Sequence, residues 1–175
     1  MGHNPRQLLL QGRWALVSKE DFRTAMGDFA TGVTVITTND DEGNPHSMTA
    51  NSFTSVCLDP PVVLVCVAHG TNTYGFLEST GRFGVNILSQ DQQELGALFA
   101  RKPEDRDEGV KYDYSVGEAG VPILDGSMVF FGCEVLDSHV YGDHTIYMGE
   151  VKEMLRNESE EPLMFFRSRW YNPGK

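Results

Sequence analysis

The chain has 175 residues, 40% of them hydrophobic, with 14 Lys and Arg against 25 Asp and Glu and a formal net charge of −11. That length fills one core and not two, and the acidic balance argues against nucleic acid and anionic membranes, which are held through clustered cations that displace counterions. No apolar run approaches bilayer-spanning length and the first residues lack the apolar centre of a signal peptide. The expectation is one domain in the cytoplasm over residues 18–175, behind an N-terminal extension of residues 1–17. A phosphate-bearing ligand approaching so acidic a surface needs basic side chains or backbone N–H groups close by.

Residues 1–17 show no clear period. Ser18 followed by Asp21 reads as a helix start, and Phe22, Ala25, Met26, Phe29 and Ala30 then share one face, a stripe expected to be core, with the helix ending near Gly32. Val33–Thr38 alternates β-branched residues as a strand does, and the polar turn 39–44 makes a hairpin into the stretch Pro45–Cys66. There Ser47, Thr49, Asn51, Ser52, Thr54 and Ser55 alternate with Met48, Ala50 and Phe53, and the segment runs on into two apolar runs joined at Asp59-Pro60-Pro61. A strand edge offering donors and acceptors without charge suits a flat, polar, uncharged heterocycle such as an isoalloxazine ring. It reads equally as a Ser/Thr-rich edge facing water.

After the strand Val62–Ala68, the turn His69–Thr73 feeds a helix at Tyr74–Ser79. Unpaired N–H groups and the helix dipole make such a turn a phosphate site or a plain cap. Arg82–Leu88 is a strand; Ser89 with Gln92 forms a capping box for a helix that buries Leu95, Leu98 and Phe99 and stops at Pro103. Arg101 and Lys102 suit its C-terminal dipole. The charged run Glu104–Lys111 is a solvated loop or a flap. Ser127–Tyr141 and Thr145–Leu155 are long strands joined by Gly142-Asp143-His144, and Pro162–Arg167 is a last strand. About seven strands in sequential hairpins with two or three short helices predict a mainly β fold, an antiparallel barrel with helices over its ends.

No GxGxxG follows a strand, and no GxxxxGK[ST], GxSxG or HExxH occurs. Cys57, Cys66 and Cys133, without CxxC spacing and inside apolar runs, read as buried thiols in a reducing compartment, and no metal site is expected. Without a GxSxG motif, hydrolysis has little support.

Four motifs stand in order: FATGVTVITT at Phe29–Thr38, TANSFTSVCLDPPVVLVCV at Thr49–Val67, GRFGVNILSQDQ at Gly81–Gln92 and GDHTIYMGEV at Gly142–Val151. With these the chain resembles the flavin-reductase-like family, the NAD(P)H:flavin oxidoreductases that serve two-component monooxygenases, over Phe22–Tyr171. The resemblance implies an FMN-binding antiparallel split β-barrel with short flanking helices. It implies hydride transfer from NADH or NADPH to FMN or FAD, a homodimer with flavin in a groove near the interface, and a separate oxygenase or halogenase that receives reduced flavin. The alternatives are a reductase that keeps its flavin and serves ferric iron or a corrinoid, a flavin-binding sensor or storage module, and a β-barrel interaction protein without a cofactor.

Under the resemblance, Ser47, Met48, Thr49, Ala50, Asn51, Ser52 and Ser55 border the ring edge and ribityl chain, with Asn51 and Ser52 as donors that stabilise reduced flavin. Thr71 and Thr73 hold the phosphate. Val67, Ala68 and Phe99 border the cofactor, and Arg101 or Lys102 reaches its phosphate or ribityl chain. His144, which by itself reads as a surface residue, lies on the nicotinamide side. Phe166, Arg167 and Ser168 contact NADH, with Arg167 or Arg169 at its pyrophosphate. Trp170 and Tyr171 read as core or as ring-stacking residues. Two departures stand out: Ser47 replaces a glycine, and Ser168-Arg169-Trp170 replaces a glycine-containing ending.

Overall fold

The run Thr34–Asn39 (β2) buries five of its six residues, as a strand does when β-branched side chains are covered on both faces. The computed structural model describes residues 17–158 and 160–171, so the expectation for the N-terminal extension lies outside it apart from Val17. Around β2 stand β3 (Pro45–Ala50), β4 (Phe53–Leu58), β5 (Pro61–Ala68), β6 (Arg82–Ile87), β9 (Val129–Tyr141) and β10 (His144–Arg156). They form one sheet in the order β3-β2-β6-β9-β10-β5-β4, every pairing antiparallel. β3 and β4 are the two outer edges, yet only Asn51 and Ser52 separate them in sequence. The sheet therefore curls until its edges meet at that corner, and no ladder joins them. This open, curled antiparallel sheet is the split barrel expected from the sequence.

Two further pieces close the ends. β1 (Thr31–Gly32), β11 (Met164–Phe166) and β12 (Arg169–Tyr171) form a small sheet, and β7 (Tyr114–Val116) pairs with β8 (Pro122–Leu124). The expected last strand is thus two short strands around a two-residue turn. Arg167 and Ser168 both take positive φ there, 49° and 61°, the type I′ geometry that matches the twist of a hairpin. Asn86, with no exposed surface, ties the β7–β8 hairpin to the barrel. Its Oδ1 accepts the Leu124 N–H at 2.9 Å and its Nδ2 donates to Thr37 Oγ1 at 3.2 Å.

Helices α2 (Asn72–Thr80) and α3 (Gln93–Phe99) cover the barrel. The capping box of Ser89 and Gln92 forms as expected, and Leu95, Leu98 and Phe99 join a core with Val33, Val35 and Leu163. A second core inside the barrel gathers Ile36, Val65, Phe83 and Tyr147.

Two expectations are corrected. Helix α1 (Lys19–Gly27) starts at Ser18, whose Oγ accepts the Asp21 N–H at 3.0 Å, but its apolar stripe is not core: Phe22, Met26 and Phe29 are 60, 51 and 68% exposed. Among the described residues the helix is hydrogen-bonded to the rest of the fold at its C-terminal end, where Arg167 N–H donates to Gly27 O and Arg167 Nε to Asp28 Oδ1. Cys57 is exposed and not buried, because it lies on edge strand β4 beside a bulge between Ser55 and Cys57, whereas Cys133 is buried. Burial pushes the Cys133 thiol up to about 12. Among the described residues no helix is long and apolar enough to cross a membrane, and no cluster of three His, Cys, Asp or Glu is placed to hold a metal ion.

Candidate active site

Three segments meet where edge strand β3 passes the turn into α2 and the loop after α3. They enclose a cavity of about 470 Å³, lined by His46, Met48 and Thr49 of β3, by residues 70–73, and by residues 99–104 with Arg106. Such a volume lies within the roughly 300–1,000 Å³ range of small-molecule sites. The walls are tied together by hydrogen bonds. Thr49 Oγ1 donates to Gly96 O of α3 at 2.8 Å, and Arg106 Nη2 donates to Ser47 O of β3 at 2.7 Å. The Arg106 guanidinium also lies 5.1 Å from the centroid of the Phe99 ring, a cation–π contact that holds the loop 101–111 over buried Phe99.

The cavity is cationic in an acidic chain. Arg101, Lys102 and Arg106 line it against one carboxylate, Glu104. The N-terminus of α2 opens into it as well. Its N-cap, Thr71, makes no side-chain bond to the helix and instead donates Oγ1 to Ala68 O at 2.8 Å, so the dipole's positive end is uncompensated by a capping side chain. His46 Nε2 pairs with Thr73 Oγ1 at 3.0 Å, and its ring meets Phe76 edge-on at 4.9 Å. Burial, reinforced by the Arg106 charge, holds this imidazole below its ordinary pKa, and burial also lowers Arg106.

A second, smaller cavity of about 200 Å³ adjoins the first across Thr49 and Ala100; Val33, Ala50, Asn51, Phe165 and Trp170 complete its walls. Its lining is apolar and aromatic apart from Thr49 and the exposed amide residue Asn51. An apolar slot joined to a polar, cationic cavity is the arrangement that accepts a flat ring carrying an anionic tail.

Of the residues singled out from the sequence, Met48, Thr49, Thr71, Thr73, Phe99, Arg101 and Lys102 meet around the larger cavity, and Ala50 and Asn51 around the smaller. Thr73 is fully buried with its hydroxyl on His46, so His46 stands where Thr73 was expected to act. Ser47 is buried and contributes its carbonyl to Arg106. Ser52 donates Oγ to Cys66 O at 2.8 Å and accepts Cys66 N–H on its own carbonyl, which pins the corner between β3 and β4. Val67 is corrected: it has no exposed surface and packs in the barrel core, because its side chain points inward on β5. Ala68 is half-buried at the end of that strand, opposite His144.

Other residues lie outside both cavities. Ser55 is exposed on β4. His144 is exposed at the β9–β10 turn, with Nδ1 2.7 Å from Asp143 Oδ1, and that bond holds the Asp143 carboxyl below its usual range. Phe166, Arg167 and Ser168 form the β11–β12 turn, where Arg167 is paired with Asp28 and stacked on Phe166. Trp170, by contrast, packs on the core of Val33, Leu95 and Phe99 and lines the slot, while Tyr171 is exposed. Sequence reasoning missed His46 and Arg106. The available signal for Arg106 was that it is the sole cation between Pro103 and Val110.

Comparison with known proteins bears on this geometry. A family model described as flavin reductase like domain matches residues 26–174. The chain belongs to the flavin reductase like family. A Rhodococcus sp. protein named "NADH-dependent flavin reductase" is 40% identical over 146 residues, covering 82% of this chain and 80% of that protein. A Rhizobium meliloti (strain 1021) protein named "Probable flavin reductase" is 42% identical over 151 residues; the match covers 86% of this chain but spans about half, 48%, of that relative. Among solved structures, flavin reductase PheA2 in its native state superposes with a TM-score of 0.83 at 36% identity, covering 91% of this chain and all of that one. BorF, the flavin reductase component of a bacterial two-component tryptophan halogenase, gives 0.80 at 35% identity, covering 89% and 98%. Members of this flavin reductase like family thus share the curled sheet.

Proposed function

We propose that this protein is an NAD(P)H-dependent flavin reductase that passes a hydride from NADH or NADPH to FMN or FAD and releases the reduced flavin to a separate monooxygenase or halogenase. The observation that carries the reading is the apolar slot joined to a cationic cavity in a chain of net charge −11. In an otherwise repulsive field, Arg101, Lys102, Arg106 and the α2 N-terminus supply the local positive potential that a flavin phosphate requires. With a flavin bound, hydride acceptance is the chemistry of its ring, and the chain has to orient and not to attack.

Each residue then has a defined task. Thr49, tied to α3, fixes the wall between slot and cavity, and Asn51 offers its amide to the ring edge. Ser52 keeps the corner from opening. His144, with Nδ1–H donated to Asp143, retains Nε2 for a nicotinamide dinucleotide that approaches from the β9–β10 side.

The partner copy is part of the reading. By register, Ile146 lies beside Cys66 and Met148 beside Leu64 on the outer face of β5 and β10, and Val56, Leu136 and Val140, 48, 53 and 66% exposed, lie on the flanking strands. On β9 the same face carries His139 opposite Ile146 and Asp137 opposite Met148, their side chains 3.3 Å apart; two like-charged chains approach through the apolar strip beside that pair, so we place a homodimer interface there. The protein works in the cytoplasm, where its free thiols stay reduced. The reading is tested by steady-state oxidation of NADH and NADPH with FMN, FAD or riboflavin added. Saturable turnover that requires flavin supports it, and flavin binding without nicotinamide oxidation leaves a binding module instead.

A further inference from the structure

Three groups around the larger cavity come from distant parts of the chain: His46 from β3, Thr73 from α2 and Arg106 from the loop after α3. His46 is half-buried, with Nε2 held by Thr73 Oγ1 at 3.0 Å and the ring edge-on to Phe76. Among the described residues Nδ1 carries no hydrogen bond. Two charges act on the ring: Arg106 disfavours its protonation, and Asp40, on the β2–β3 turn, favours it more weakly. Arg101, Lys102 and Glu104 complete the charged lining of the cavity.

We propose that His46 is a specificity-determining residue that makes this cavity select phosphorylated flavins over riboflavin, taking up one proton from solvent as a phosphate enters the space it shares with Arg106. This rests on the flavin reading above. In the open cavity, burial and the like charge of Arg106 keep the ring neutral. A phosphate reverses the sign of that local field, since it carries about −1.5 to −2 charge near neutral pH. The ring then gains a proton, donates Nε2–H to Thr73 and has a second N–H for the ligand. Riboflavin, without the phosphate, gives His46 no reason to charge.

The test is a pair of titrations. FMN and riboflavin affinities are measured by quenching of flavin fluorescence between pH 6.5 and 8.5, for the wild type and His46→Gln, an amide that can keep the bond to Thr73. The FMN-to-riboflavin affinity ratio rises about fivefold as pH falls across that range in the wild type, and stays flat in the variant. Calorimetry of the wild type in two buffers of different ionisation enthalpy reads the proton directly: net uptake accompanies FMN and not riboflavin. This second measurement needs no variant. A ratio independent of pH, an unchanged slope in His46→Gln, or equal proton uptake for both ligands overturns the proposal while leaving the flavin reading intact. Failure of both flavins to bind overturns the two together.

Discussion

Arg106 is bonded into the site's framework, and its loss is the most informative single change. It joins Ser47 O, the Arg101 carbonyl and the Phe99 ring, so Arg106→Gln frees the loop from β3 as well as removing charge. A charge-assisted bond of this kind is worth about 1.5–3 kcal/mol. We expect FMN affinity in the variant to fall about tenfold or more, read by flavin fluorescence. His46 also links stability to pH. Burial holds its pKa in the folded chain below that of an ordinary imidazole, so below that ordinary value the unfolded chain binds more protons. The contribution is present above the unfolded pKa and is lost as pH falls through the folded one. Thermal midpoints should therefore drop on acidification from about pH 7 to about pH 5, less steeply in His46→Gln. Neither residue was legible in the sequence, because residues 46, 73 and 106 meet only after the sheet has curled. Thr49, Thr71, Arg101 and Lys102 were legible, since each stands at the end of a strand or helix whose pattern and motif place it.

The elements divide according to whether their partner can be inferred. Strand alternation located β2, β5, β6, β9 and β10, and the Ser89–Gln92 capping box located the start of α3. Periodicity also found α1, but an apolar stripe does not say what covers it, and among the described residues Phe22, Met26 and Phe29 stay exposed. The same gap explains Cys57: an apolar run was read as interior although β4 is the sheet's outer edge. Asn86 is the reverse case, a polar residue inside a strand whose role appears only through the β7–β8 hairpin. Asn86→Ala leaves the Leu124 N–H without its acceptor in a fully buried position. An unsatisfied buried donor costs about 1–3 kcal/mol, so chemical denaturation should show a loss of stability in that range.

At the scale of the whole molecule, the chain combines a strongly acidic composition, a cationic cavity and an outer sheet face on which an apolar strip lies beside the Asp137–His139 pair. Under the proposed function each serves a different association: the cavity draws an anionic cofactor, and the face accommodates a second like-charged copy. If the proposed homodimer forms through that face, Ile146→Arg should leave a folded monomer by light scattering where the wild type is dimeric. An antiparallel barrel was legible from the strand patterns and the family from four ordered motifs, but the sheet order and the cavity's shape were not, since the cavity arises where β3 meets the turn into α2 and the loop after α3. Under the proposed function, flavin is a passing substrate and not a fixture. Anaerobic mixing of NADH with catalytic protein and excess FMN, followed by bleaching of the flavin, tests it most directly. We predict reduction of many equivalents of flavin per chain; bleaching that stops at one equivalent would contradict the claim and mark a reductase that keeps its flavin for another acceptor.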